Sequence, residues 1–225
     1  EVARRFEAGE IRAPIHLSGN NEDSLIEIFK GISRDDLVLS YWRSHYHALL
    51  HEIPPDEVMR QILAGRSMHI NSLQPWFYAS SIVGGILPIA VGLGMAIKRI
   101  VHDEDGWCNC SCRDLNCRNL LSSVGDDGKH QHYAHLPCPA WSRKVICFVG
   151  DMTAETGIFH EAVKYSDNFD LGVKFVIEDN GLCVQTATED AWGCINYKRT
   201  EGRNIRRYKY TPTWPHSGVG RKIIF

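Results

Sequence analysis

The amino-acid sequence predicts an α/β fold, a mostly parallel sheet with helices on both faces, and the stretch from Val145 to Val184 carries that expectation. VICFV (Val145 to Val149) and VKFVI (Val173 to Ile177) are unbroken apolar runs of strand length, as strands covered on both faces require. Between them Ile158, Phe159, Ala162 and Val163 recur at helical spacing, so the segment reads as strand, helix, strand. Such a crossover makes the two strands parallel and brings Asp151 and Asn180 out at carboxyl ends on one edge of the sheet.

The remaining elements follow in order. Residues 1 to 36 read as helical, with Leu25, Ile26, Ile28, Phe29 and Ile32 on one face behind the polar starter Ser18-Gly19-Asn20-Asn21. Leu37 to Tyr41 is a short strand. Pro54-Pro55-Asp56 opens a helix with Val58, Met59, Ile62 and Leu63 along one side, because proline suits a first turn and acidic groups favour a helix N-terminus; Gly65 ends it. The longest apolar run, Ile82 to Ile97, falls short of the roughly 20 residues of a membrane span and contains Gly84, Gly85 and Pro88, so it reads as a buried helix from Pro88 to Arg99. Residues 101 to 143 lack periodicity over more than the roughly 12 to 15 residues usual for a loop, which marks an insertion with its own purpose or a disordered flap. The helix of the central unit is expected over Thr153 to Tyr165, and a basic, aromatic tail over about 198 to 225.

A chain of 225 residues with 44% hydrophobic and 23% charged residues and a formal charge of -2 suits one globular domain, not a disordered or nucleic-acid-coating protein. The first residues lack an apolar signal stretch, so a cytoplasmic location is expected (the mitochondrial matrix in a eukaryote), with reduced thiols. Cys147, Cys183 and Cys194 lie in or near apolar stretches and read as core filler. Cys108, Cys110, Cys112, Cys117 and Cys138, with His130, His132 and His135, offer soft ligands for a zinc ion, but Cys-x-Cys-x-Cys is not the usual knuckle spacing; zinc and a reduced loop stay open.

The chemistry lies at Asp151 and Asn180. One carboxylate and one amide oxygen, with backbone and phosphate oxygens, suit magnesium, which is hard, octahedral and commonly held through a phosphorylated ligand. Each residue also has a plain structural reading, a helix N-cap or turn aspartate for Asp151 and a turn residue before Gly181 for Asn180. The surrounding text, GDMTAETGIFHEAVKYSDNFDLGVKFVIEDNGLCVQT, resembles the thiamine diphosphate motif that opens with Gly-Asp-Gly and closes with Asn-Asn. HLSGNNE (His16 to Glu22), SYWRSHYHALL (Ser40 to Leu50), GRSMHI (Gly65 to Ile70) and SSIVGGILPIAVGLGMAIK (Ser80 to Lys98) resemble, in the same order, segments of the alpha subunits of 2-oxoacid dehydrogenases of the pyruvate, branched-chain and acetoin type.

That resemblance implies a single thiamine diphosphate-binding domain over 1 to 225. It implies that Asp151, the Asn180 side chain and the Leu182 carbonyl hold magnesium, that Gly150, Met152 and Thr153 lie along the diphosphate, and that Arg43 pairs with its oxygens. Ser81 and Val83 would meet the aminopyrimidine through backbone atoms, His16 would face the 2-oxoacid, and His45 and His69 would border the channel. Departures are equally specific. Trp42 stands where the family has a tyrosine on the diphosphate, Met152 replaces the second glycine, Asp179 the first asparagine and Ser81 a glycine; His216 is the one nearby counterpart for the family's late histidine.

The implied activity is decarboxylation of a 2-oxoacid with transfer of the acyl fragment to a lipoyl-bearing acyltransferase. A beta subunit carrying a pyrimidine-binding domain is the implied partner, in a two-alpha two-beta heterotetramer. Half of a split transketolase or carboligase, and a non-catalytic cofactor-binding subunit, are the alternatives. No membrane and no nucleic acid is expected; the basic tail reads instead as a surface for a neighbouring subunit.

Overall fold

The structure is a computed structural model, and it describes residues 1–101, 143–193 and 200–224. The Cys/His-rich segment and Cys194 lie outside those residues, and the question of zinc with them. Two helices, α1 (Val2–Glu7) and α2 (Glu22–Phe29), precede β1 (Leu37–Ser40), α3 (His45–Leu50) and α4 (Pro55–Leu63). Then come β2 (Asn71–Leu73), β3 (Trp76–Ala79) and the long α5 (Ile86–Val101). The second half holds β4 (Val145–Gly150), a 3₁₀ turn (Thr153–Glu155), α6 (Gly157–Asn168), β5 (Val173–Asp179), the small hairpin β6 (Leu182–Cys183) and β7 (Thr186–Ala187), α7 (Thr188–Trp192) and β8 (Ile205–Lys209).

The main sheet has the order β2-β3-β1-β4-β5-β8, parallel throughout except where β2 meets β3. Side chains of a strand alternate between faces, and the central strands sort their apolar residues accordingly. Leu37, Leu39, Val145, Cys147, Val149, Val173, Phe175 and Ile177 join α5 and α6 in one core. Val38, Ile146, Phe148 and Val176 face the other way, into a core built with Phe6, Leu25, Phe29, Ala48, Val58 and Ile62 from α1 to α4. Two covered faces are what the continuous apolar runs anticipate. Among the described residues, no helix is long and apolar enough to cross a membrane.

Three expectations need correction. Residues 1 to 36 are not one helical region: Gly9, with φ near +75°, breaks the chain after α1, and Ile11, Ile15 and Leu17 run to α2 as buried non-helical backbone. The helix of the central unit begins at Gly157, not Thr153, because Thr156 is extended and serves as its N-cap after the separate 3₁₀ turn. The basic stretch near the C-terminus is not an appendage, since β8 pairs with β5 along five residues, from Phe175↔Ile205 to Asp179↔Lys209.

Candidate functional site

The topology itself makes the crevice. From β1 the chain passes to β3 on one side and returns to β4 on the other, so the sheet reverses its direction of growth between β1 and β4. Loops leaving the carboxyl ends of two such strands diverge and leave room for a ligand. Arg43 lies just past β1, Asp151 one residue past β4 and Asn180 one past β5, and β4 and β5 are direct neighbours with Gly150 opposite Glu178. Tyr41, Trp42, Arg43, Val83, Gly150, Asp151, Met152, Thr153, Asn180 and Leu182 share one crevice. Asp151 and Asn180 also line a second hollow, toward Thr188 and Lys209.

Asp151 is 2% exposed and accepts a 2.6 Å hydrogen bond from the Thr188 hydroxyl. Burial raises its carboxyl above the ordinary range against that hydrogen bond, and the neighbouring Asp179 carboxylate adds to the rise. A helix cap does not explain the residue, since Thr156 is the N-cap of α6, although Asp151 does stand in a turn. Asn180 does make a turn contact, its Oδ1 accepting the Leu182 N–H at 3.1 Å, and its place beside Asp151 is additional to that role. Asp179 accepts from the Gly181 N–H at 3.1 Å and from Arg207 Nη1 at 3.2 Å.

The charged wall opposite is Arg43, 7% exposed, whose Nη2 lies 3.3 Å from His216 Nδ1 and donates to the His216 carbonyl at 3.2 Å. His16 packs edge-on against His216, with ring centroids 5.0 Å apart, and its Nδ1 is buried without a partner. Burial, reinforced by Arg43 and the other histidines, lowers the His16 pKa to about 4. The Trp42 Nε1 is likewise a buried donor without a partner.

Not all the sequence candidates meet here. His45 is buried on α3 with Nε2 2.9 Å from Ser67 Oγ, and burial lowers its pKa to about 4. It lines a separate apolar hollow with Leu17, Val58 and Trp214. His69 is exposed, as is Ser81, and neither lines the crevice. Sequence reasoning missed a buried group beneath the crevice: His47 Nδ1 is 2.7 Å from Ser40 Oγ, and His47 Nε2 lies 3.2 Å from Glu178 Oε2, close enough for an ion pair though not aligned as a hydrogen bond. Burial alone would raise the Glu178 carboxyl, but His47, Tyr208 and Tyr41 together hold it below the usual range. The tyrosine hydroxyls and His47 come from separate elements, so nothing local in the sequence announces the group.

The donor set fits a divalent ion held together with a phosphorylated ligand. Among the described residues no three His, Cys, Asp or Glu side chains are grouped to hold a metal by themselves, so an ion at Asp151 and Asn180 needs further oxygens. A phosphate oxygen would also complete the orphaned Trp42 donor beside Arg43.

A family model described as "Dehydrogenase E1 component" matches residues 1–207. The alpha subunit of the pyruvate dehydrogenase E1 component from Porphyra purpurea is 25% identical over 194 residues, which cover 82% of this chain and 47% of that protein. The alpha subunit of acetoin:2,6-dichlorophenolindophenol oxidoreductase from Bacillus subtilis (strain 168) is 24% identical over 204 residues, covering 86% of this chain and 50% of that one. The chain thus spans about half the length of these curated relatives.

Proposed function

The chain belongs to the dehydrogenase E1 component family, and on that premise we propose that it is the alpha-type subunit of a thiamine diphosphate- and magnesium-dependent 2-oxoacid dehydrogenase. One observation carries the reading: Asp151 and Asn180 leave the adjacent parallel strands β4 and β5, next to the reversal point between β1 and β4, in a crevice shared with Arg43 just past β1. In this reading the Asp151 carboxylate, the Asn180 amide oxygen and the Leu182 carbonyl hold magnesium. Arg43 offers a planar fork to the diphosphate oxygens, the Trp42 indole donates to one more, and the backbone of Gly150, Met152 and Thr153 lies alongside.

Thiamine diphosphate, when bound, supplies the carbon nucleophile that decarboxylation of a 2-oxoacid requires. The chain contributes binding, orientation and electrostatics. His16 lies beside the diphosphate anchor Arg43, neutral at pH 7 and so able to accept or donate one hydrogen bond to a carboxylate or carbonyl substrate without adding charge. His216, against both Arg43 and His16, takes the place of the family's late histidine. The aminopyrimidine would meet Val83, which lines the crevice, and Ser81. His45 and His69 would border a longer channel completed by other chains. A beta subunit with the pyrimidine-binding domain, in a two-alpha two-beta assembly, would supply the acid for the aminopyrimidine, and a lipoyl-bearing acyltransferase would take the acyl fragment. Titrating the chain with thiamine diphosphate, with and without magnesium, tests the reading; binding that ignores the metal would overturn it.

A further inference from the structure

Buried carboxylates gather beside the crevice. Asp151 and Asp179 are 2% and 4% exposed and line the same hollow at the ends of neighbouring strands. Glu155, 8% exposed, sits just behind them on the 3₁₀ turn. Asp179 lines the second hollow and not the crevice given to the diphosphate, but the two share Asp151 and Asn180, so its charge stands beside the metal site in a poorly hydrated place, where charges act strongly.

Arg207 offsets part of this charge. Its side chain, from β8, is 14% exposed and divides its guanidinium between two carboxylates, Nη1 3.2 Å from Asp179 Oδ2 and Nη2 3.1 Å from Glu155 Oε1. Thr200 Oγ1 donates to the other Glu155 oxygen at 3.1 Å. Lys209, on the same strand, also lines the hollow but is exposed, where solvent and salt screen it. The planar fork is what lets one residue bridge two acids, which an ammonium does less well.

Resting on the cofactor reading above, we propose that Arg207 is a charge-compensating residue of the diphosphate site: it offsets the charge of Asp179 and thereby eases the entry of an anionic ligand to an edge where two buried carboxylates, Asp151 and Asp179, lie beside the exposed Glu189. Arg207 acts through Asp179 and touches neither metal nor cofactor. Its removal therefore has opposite effects on the two ligands, because it makes the edge more negative, from which a bare cation gains and a diphosphate loses.

The full chain is titrated with manganese alone and, separately, with thiamine diphosphate in saturating magnesium. Arg207→Gln is expected to bind manganese severalfold more tightly and thiamine diphosphate roughly tenfold more weakly, the scale of one poorly screened charge. Adding Asp179→Asn should return both affinities toward wild type, whereas adding Glu155→Gln should restore thermal stability without restoring either. A merely structural ion pair would lower both affinities together and be relieved by either partner; that outcome, or unchanged affinities, overturns the proposal. If Arg207→Gln fails to fold, Asp179→Asn alone decides: it should weaken manganese and strengthen thiamine diphosphate, and the reverse or no change overturns the idea. If the wild-type chain binds no thiamine diphosphate, the cofactor reading fails, while the manganese arm still judges Arg207.

Discussion

Individual side chains at the crevice carry opposed demands. Asp151 is buried, which disfavours its charge, a cost that the divalent ion of the proposed site would recover. Asp151→Ala should therefore abolish magnesium-dependent thiamine diphosphate binding in calorimetry; an unchanged affinity would remove the site assignment. Arg43→Ala should weaken the same binding, and Arg43→Lys should recover only part, since lysine keeps the charge and loses the fork. Equal affinities for lysine and arginine would reduce Arg43 to a distant charge. His45 gives a pH-dependent counterpart. Its pKa falls from 6.5 unfolded to about 4 in the fold, so the unfolded chain takes up the proton first as pH drops. His45 then contributes nothing above about pH 6.5 and costs stability progressively down to pH 4, about 3 kcal/mol in all. In urea unfolding, the stability of His45→Gln relative to wild type should rise between pH 7 and pH 4.5, and a constant difference would contradict this.

At the level of elements, the parts legible in the sequence are those whose pattern is local. The runs at Val145 and Val173 became β4 and β5 because burial on both faces leaves no room for polar alternation, and Pro54-Pro55 with Gly65 set the limits of α4. Asp151 and Asn180 were legible together because they end those two strands. β8 was not, since IRRYK (Ile205 to Lys209) has a polar, edge-strand composition and the basic residues suggested an exposed tail. Likewise Thr188, which binds Asp151, stands 37 positions away, and Glu178 with His47 is joined only by tertiary folding. The close fit of α5 on the sheet is another product of packing. A Cβ added at Gly94 would fall 2.7 Å from Val173 Cγ2 and 3.2 Å from Leu171 Cβ. Despite alanine's better helix propensity, Gly94→Ala should destabilise the chain by about 1 to 3 kcal/mol in denaturant unfolding, as overpacking does. Gly92→Ala, where a Cβ meets nothing within 4 Å, should not; similar losses at both would point to the helix backbone instead.

For the whole molecule, the cofactor reading makes half an active site. Saturated with thiamine diphosphate and magnesium, the isolated chain should release no carbon dioxide from 2-oxoacids, and release should begin on adding a pyrimidine-binding partner; turnover by the chain alone would overturn the two-subunit assembly. The order of the sheet reaches beyond catalysis to how the chain is made. β4 and β5 pair within one strand-helix-strand unit, but β1 finds β4 only across more than a hundred intervening positions, with Leu37 beside Val145. Closing so long a loop is slow and entropically costly. During synthesis the ribosome releases β1 and β3 well before β4 exists, so one edge of a strand that is fully buried in the finished fold waits unpaired. Such an edge recruits other nascent chains. The early hundred residues are therefore expected to occupy a holding chaperone until Val145 to Val149 emerges, and stalled nascent chains ending on either side of that strand should differ sharply in protease resistance.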